Sequence, residues 1–143
     1  MAERISRARI LVTIPALFVV FLPPLADLNE THILNSLWTG HARLHTVWLI
    51  SSNSLLSLLA LWVLWRGPRA GTREGVKTGA AIMVAILGGF LIAAAFSPLY
   101  AGSFADPNGI PLIAGVVDAN LLVFSALFVL VIAAVALVRR PAV

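Results

Sequence analysis

Four long apolar runs divide the chain, over roughly residues 8–26, 41–65, 78–100 and 112–138, and short polar stretches separate them. Each run is near the ~20 residues that a helix needs to cross about 30 Å of hydrocarbon. The pattern predicts an all-α protein, an integral membrane four-helix bundle. No repeat or low-complexity tract divides it further, so residues 1–143 read as a single transmembrane domain.

Breakers and small residues add detail. Each proline removes a backbone N–H, so Pro15 is expected to kink the first helix and Pro23-Pro24 to end it. Pro24 also stands where a cleavable leader wants a small residue, which favours a retained first helix over a signal peptide. Gly67-Pro68 breaks the chain between the second and third runs. Ala81, Ala85, Gly89 and Ala93 recur every four residues and predict a ridge that lets another helix approach closely. The fourth helix is expected to open near Pro111, a favoured first-turn residue, which would put Asp118 about two turns inside it.

Composition agrees with the pattern: 60% of positions are hydrophobic and 11% charged, too few charges for an ordinary soluble domain. The formal charge of +4 does not indicate nucleic acid, because the basic residues sit at the ends of apolar runs, where they set orientation. Arg4, Arg7, Arg9, Arg66, Arg69, Arg73, Lys77, Arg139 and Arg140 all fall on one side of a four-span topology. By the positive-inside rule that side is cytoplasmic, with both termini inside. Arg43 is then the lone basic residue on the outer side, beside Asp27, Glu30, Asp106, Asp118 and all three histidines. Cysteine is absent, which excludes disulfides, thiolate metal sites and thiol catalysis. Nine Arg against one Lys suggests a GC-rich bacterial genome, hence a multi-pass protein of the bacterial cytoplasmic membrane.

Candidate chemistry concentrates between residues 27 and 45. His41 and His45, four apart on a helix, bring their ring nitrogens to one point, suited to pairing a general acid with a base or to ligating a metal. The bland alternative is a pair of interfacial histidines bonded to loop carbonyls. Asp27, Glu30 and His32 follow the first helix closely enough to reach the same mouth, and Asp118 can reach it from the fourth. These six are the candidate catalytic residues. His41, His45, Trp48 and Ser52 form one stripe, expected to face the bundle interior. Trp38, Arg43, Trp48, Ser52, Tyr100 and Asn120 are candidate substrate-binding residues. Asn29-Glu30-Thr31 matches a glycosylation acceptor, which on a bacterial reading is chance.

A resemblance rests on these features. Four short spans, an acid just after the first, a Leu-Trp and basic-turn pattern around the second, and a polar outer mouth resemble the EXPERA group, which includes sterol isomerases and the sigma-2 receptor. In the isomerases a His and a Glu one turn apart on the second helix shuttle a proton inside a lipophilic pocket. His41 matches the first position, His45 stands in place of the acid, and the loops are shorter. DoxX-like four-span chains share the same hydropathy. The resemblance implies acid-base chemistry on a lipid-soluble substrate, such as isomerisation, cyclisation or epoxide opening, without a cofactor. Two other functions fit the residues: a transition-metal protein using His32, His41, His45 and Asp27, or a small transporter or accessory subunit with a proton path through Asp118 and the serines of the second span. The expected partners are a lipophilic small molecule and membrane lipid, with homodimerisation needed for a transport role.

Overall fold

The computed structural model describes residues 1–104, 112, 113, 115 and 117–139. Its helices are α1 (Ala2–Asp27), α2 (Gly40–Trp65), α3 (Arg73–Phe96) and α4 (Ala119–Arg139), and one 3-10 turn, Ser97–Tyr100, extends α3. All four helices are long and apolar enough to cross a membrane, so the chain is a multi-pass all-α bundle. Among the described residues the only β pairing is one isolated bridge, Ile113 to Val117.

Threonine side chains cap two of the starts. Thr39 accepts from the Ala42 N–H at 3.2 Å to open α2, and Thr72 accepts from Gly75 at 3.1 Å to open α3. Helices alternate in direction, so Met1, the 66–72 turn and Arg139 share one end, the basic end. Arg73 reaches the Met1 sulfur at 3.1 Å there. The Arg9 guanidinium lies 3.9 Å from the Trp65 ring centroid, while the Trp65 indole N–H donates to Thr13 Oγ1 at 2.9 Å, tying α1 to α2. Eight of the nine segregated basic residues stand at this end, and Arg140 lies outside the described residues.

The four helices do not pack as a square. α1 and α3 touch across one diagonal, whereas α2 and α4 each pack on α1 and α3 and make no contact with one another. The core is built from Ala8, Val12, Ala16 and Val19 of α1, Ala60 and Leu64 of α2, Ala80, Met83 and Leu87 of α3, and Val131 and Ala134 of α4. So many small residues make sense in lipid, where burial gains little over acyl chains and close van der Waals approach holds helices together. Phe124 completes the centre, stacked on Phe90 at 4.2 Å and edge-on to Phe18 at 5.9 Å.

Three expectations are corrected. The ridge of Ala81, Ala85, Gly89 and Ala93 faces outward, each residue being exposed. The α3 face that packs is instead Val76, Ala80, Met83 and Leu87. The close approach falls at Gly79, where a Cβ would come within 3.0 Å of Leu64 Cγ. Second, α1 runs through Pro23-Pro24 to Asp27, and the Leu28 N–H bonds the Pro24 carbonyl at 3.1 Å. In hydrocarbon an unwound backbone would strand several polar groups, a larger cost than the two donors that the prolines lack. Third, α4 begins at Ala119, and Pro111 and Asp106 lie outside the described residues.

Gly79→Val would force Leu64 away from the α2–α3 contact. Overpacking of this kind costs about 1–3 kcal/mol. A lowered midpoint in a detergent thermal-stability assay, with Gly89→Val unchanged because its Cβ meets open space, is the expected result.

Candidate functional site

The end opposite the basic one carries the candidate chemistry, in two adjoining clusters. The first is the 28–39 segment, which folds on its own hydrogen bonds. Asn29 Nδ2 donates to the Ala26 carbonyl at 2.7 Å, and Asn29 Oδ1 accepts from the Thr31 N–H at 2.9 Å and the Thr31 hydroxyl at 2.6 Å. Thr31 has one hydroxyl hydrogen and spends it on Asn29. The contact of 2.7 Å between Thr31 Oγ1 and His32 Nδ1 therefore needs the hydrogen on the imidazole. With Nδ1 protonated, neutral His32 presents a lone pair at Nε2, which stands 3.9 Å from Asp27 Oδ1. One proton held on either member turns this approach from repulsive to attractive. Asp27 and His32 thus form a half-buried pair, with Trp38 edge-to-face against the imidazole at 5.7 Å. The bonding of Asn29 is also a sufficient reason for its place in the loop without glycosylation.

The second cluster opens α2. His45 Nε2 lies 3.0 Å from His41 Nε2, the rings nearly perpendicular with centroids 4.4 Å apart. Trp48 continues the stripe, its ring 5.9 Å from His45. The expected orientation is corrected here: His41, His45 and Trp48 are exposed, Trp48 at 64%, and Ser52 is half-buried. The buried face of α2 is Ile50, Ser57, Ala60 and Leu64. Ile50 is two residues from Trp48, about 200° around the helix, so burying one face turns the other outward.

Arg43 joins the clusters. Its guanidinium donates to the Asn35 carbonyl at 2.7 Å, pinning the 28–39 segment onto α2. It is a tether in this structure. Tyr100 likewise spends its hydroxyl on the Ala93 carbonyl at 2.7 Å. Glu30 and Asn120 are exposed.

Asp118 differs from its expected depth. It is 7% exposed and caps α4, its carboxylate accepting the Leu121 N–H at 3.0 Å. It is the residue before the helix and does not lie two turns inside it. It heads α4, which does not pack against α2. Of the α2 serines, the buried Ser57 points to the Met83 sulfur at 3.8 Å. Among the described residues no three His, Asp or Glu side chains form a group that could hold a metal. The four-ligand set of His32, His41, His45 and Asp27 is therefore not assembled. The tautomer-fixing role of Asn29 and Thr31 is an addition to the sequence reading, and an Asn-x-Thr-His run after a helix end is the local signal that carries it.

A family model described as a family of unknown function, DUF6640, matches residues 11–142. The chain belongs to the DUF6640 family. The match takes in both clusters of this DUF6640 protein and all but the first turns of α1. Neither a curated protein nor a solved structure matches the chain.

Arg43→Ala in the DUF6640 chain should release the 28–39 segment, since a hydrogen bond from a charged donor contributes about 1.5–3 kcal/mol. Limited proteolysis reads this directly: faster cleavage between residues 28 and 39 with the helices intact is expected, and unchanged cleavage would mean that the segment holds itself.

Proposed function

We propose that this protein is a membrane enzyme that moves protons on a lipophilic small molecule, with His41 and His45 as the reacting pair. The observation that carries the reading is the 3.0 Å approach of their Nε2 atoms. In a neutral pair at that distance one ring donates its Nε2–H and the other accepts it. The donor ring is then left with a bare Nδ1, a base, and the acceptor ring with an Nδ1–H, an acid. A proton taken at the first Nδ1 and another released at the second transfers hydrogen between two atoms of a substrate with nothing consumed. The rings finish with their tautomers exchanged, and water at the membrane surface restores them.

A lipid-soluble substrate is favoured by the surroundings. Leu44 and Trp48, both exposed, flank the pair, so a molecule dissolved in the bilayer approaches sideways without entering a closed pocket. The likeness of helix order to the EXPERA group points the same way. Asp27 and His32 place a second carboxylate and imidazole pair nearby. We further propose that the histidine end faces outward from a bacterial cytoplasmic membrane, with both termini cytoplasmic, as the basic residues gathered at the other end favour. A periplasm-active phosphatase fused after Gly102 should then be active and one fused after Arg69 inactive, and the reverse result would invert the assignment.

The same Nε2 spacing supports a second reading. Two nitrogens about 3.3 Å apart span one edge of a tetrahedral zinc site with bonds near 2.05 Å. The pair would be half of such a site, needing ligands from elsewhere.

Incubating the purified protein in deuterated water with a lipid extract, and following deuterium uptake into lipophilic compounds by mass spectrometry, tests the proton-transfer reading on every extractable compound at once. Uptake should fall by about 10²–10⁴ in His41→Ala and in His45→Ala, the usual contribution of positioned acid-base groups. A stoichiometric transition metal that co-purifies and is lost in both variants would replace this reading with the metal one.

A further inference from the structure

The basic end holds a cavity of about 320 Å³ in the notch between the end of α2 and the start of α3, lined by Trp62, Val63, Gly67, Pro68, Arg69 and Thr78. Its shape is set locally. The N–H groups of Arg66 and Gly67 both bond the Trp62 carbonyl, at 2.8 and 2.7 Å, which turns the chain sharply after α2. Gly67 leaves room for the indole: a Cβ there would lie 3.3 Å from Trp62 Cζ3. The Arg69 carbonyl is held by the Thr72 hydroxyl at 2.7 Å, so the backbone behind the exposed guanidinium is fixed.

Charge and apolar surface meet in this notch. Among the described residues, the carboxylates at this end are Glu3 and Glu74. The first is paired with Arg7 and the second with Lys77 at 3.5 Å. Among the described residues no carboxylate pairs with Arg69, and Arg66 stands on the same turn, so the notch has positive charge to spare. Below it the exposed face of α2 is apolar: Trp62 is 50% exposed, and Leu59 and Leu55, on the same side of the helix, are 45% and 66% exposed. An arginine and a threonine lining one notch above an apolar helix face match a phosphate joined to an acyl chain.

We propose that this notch is a binding site for an anionic phospholipid, its phosphate on Arg69 and Thr78 and one acyl chain along Trp62, Leu59 and Leu55. Phosphatidylglycerol fits, because its headgroup adds no cation. Phosphatidylcholine would set a quaternary ammonium against a surface already positive. The site is independent of the histidine pair at the other end, and it stands whatever reaction occurs there.

Bilayer nanodiscs test it. The full chain is reconstituted with phosphatidylcholine and a minor fraction of phosphatidylglycerol, with bromine on the acyl chains of one lipid at a time, and tryptophan quenching is compared with that of Trp62→Phe. The Trp62 component should be quenched about fivefold more by the brominated anionic lipid at equal mole fraction, the advantage of one cation near a headgroup. Arg69→Gln should bring that ratio near one, while Arg66→Gln, on the same turn but outside the cavity lining, keeps it. Arg69→Lys, which retains the charge without the planar fork, should keep a reduced preference and guards against misfolding of the Gln variant. Equal quenching by both lipids in the unaltered chain would overturn the proposal. So would equal losses in Arg66→Gln and Arg69→Gln, which would assign the preference to diffuse charge, or displacement by millimolar inorganic phosphate, which would assign the notch to a soluble anion.

Discussion

Backbone polarity in hydrocarbon is the constraint from which the rest of this structure follows. Every N–H and C=O inside the bilayer must be closed within its own helix, because neither water nor a sheet edge is there to receive it. That requirement carries α1 through three prolines and defers the loops to the two ends. It also removes the hydrophobic effect as a glue between helices, since a leucine gains little by leaving acyl chains for another helix. What remains is close fit, and the contact of Gly79 with Leu64 and the alanines at 8, 16, 60, 80 and 134 supply it.

Packing then decides which chemistry can meet. With α1 and α3 joined across the short diagonal, α2 and α4 are kept apart on the flanks, and so are the polar residues at their starts. His41 and His45 find each other because they lie one turn apart on one helix. Asp27 and His32 find each other because the four loop residues between them, held by the bonds of Asn29 and Thr31, bring them together. Asp118 finds only its own helix. The reach of Arg43 to Asn35 ties these local groups together.

Much of this is legible in the sequence. Four apolar runs mark the helices to within a few residues at most ends, and the arginines mark their alternation. The mutual approach of His41 and His45 follows from spacing alone. What spacing does not carry is the rotation of each helix about its axis. In a soluble bundle the hydrophobic face reveals that rotation, but in lipid both faces are apolar. The stripe of His41, His45 and Trp48 and the ridge of Ala81, Ala85, Gly89 and Ala93 thus both read as inward from the sequence, and both turn outward. The hidden faces are marked by small size and fit, as at Ala60 and Ala80, a weaker signal than polarity. The depth of Asp118 is misread for a different reason: Pro111 is an acceptable first-turn residue, yet an acid followed by an uninterrupted apolar run is an equally good cap.

The capping of α4 by Asp118 has a geometric consequence for the bilayer around the protein. At 1.5 Å per residue, the 21 residues of α4 reach about 32 Å, against about 39 Å for the 26 residues each of α1 and α2. A hydrocarbon layer near 30 Å is spanned by α4 with almost nothing left over, whereas its longer neighbours can tilt or protrude. The shortest helix therefore sets the thickness that the protein tolerates, and its carboxylate cap marks the level at which lipid must give way to water. Lipids along the α4 flank have to match that level closely, while those along α2 meet a longer apolar wall topped by imidazole and indole.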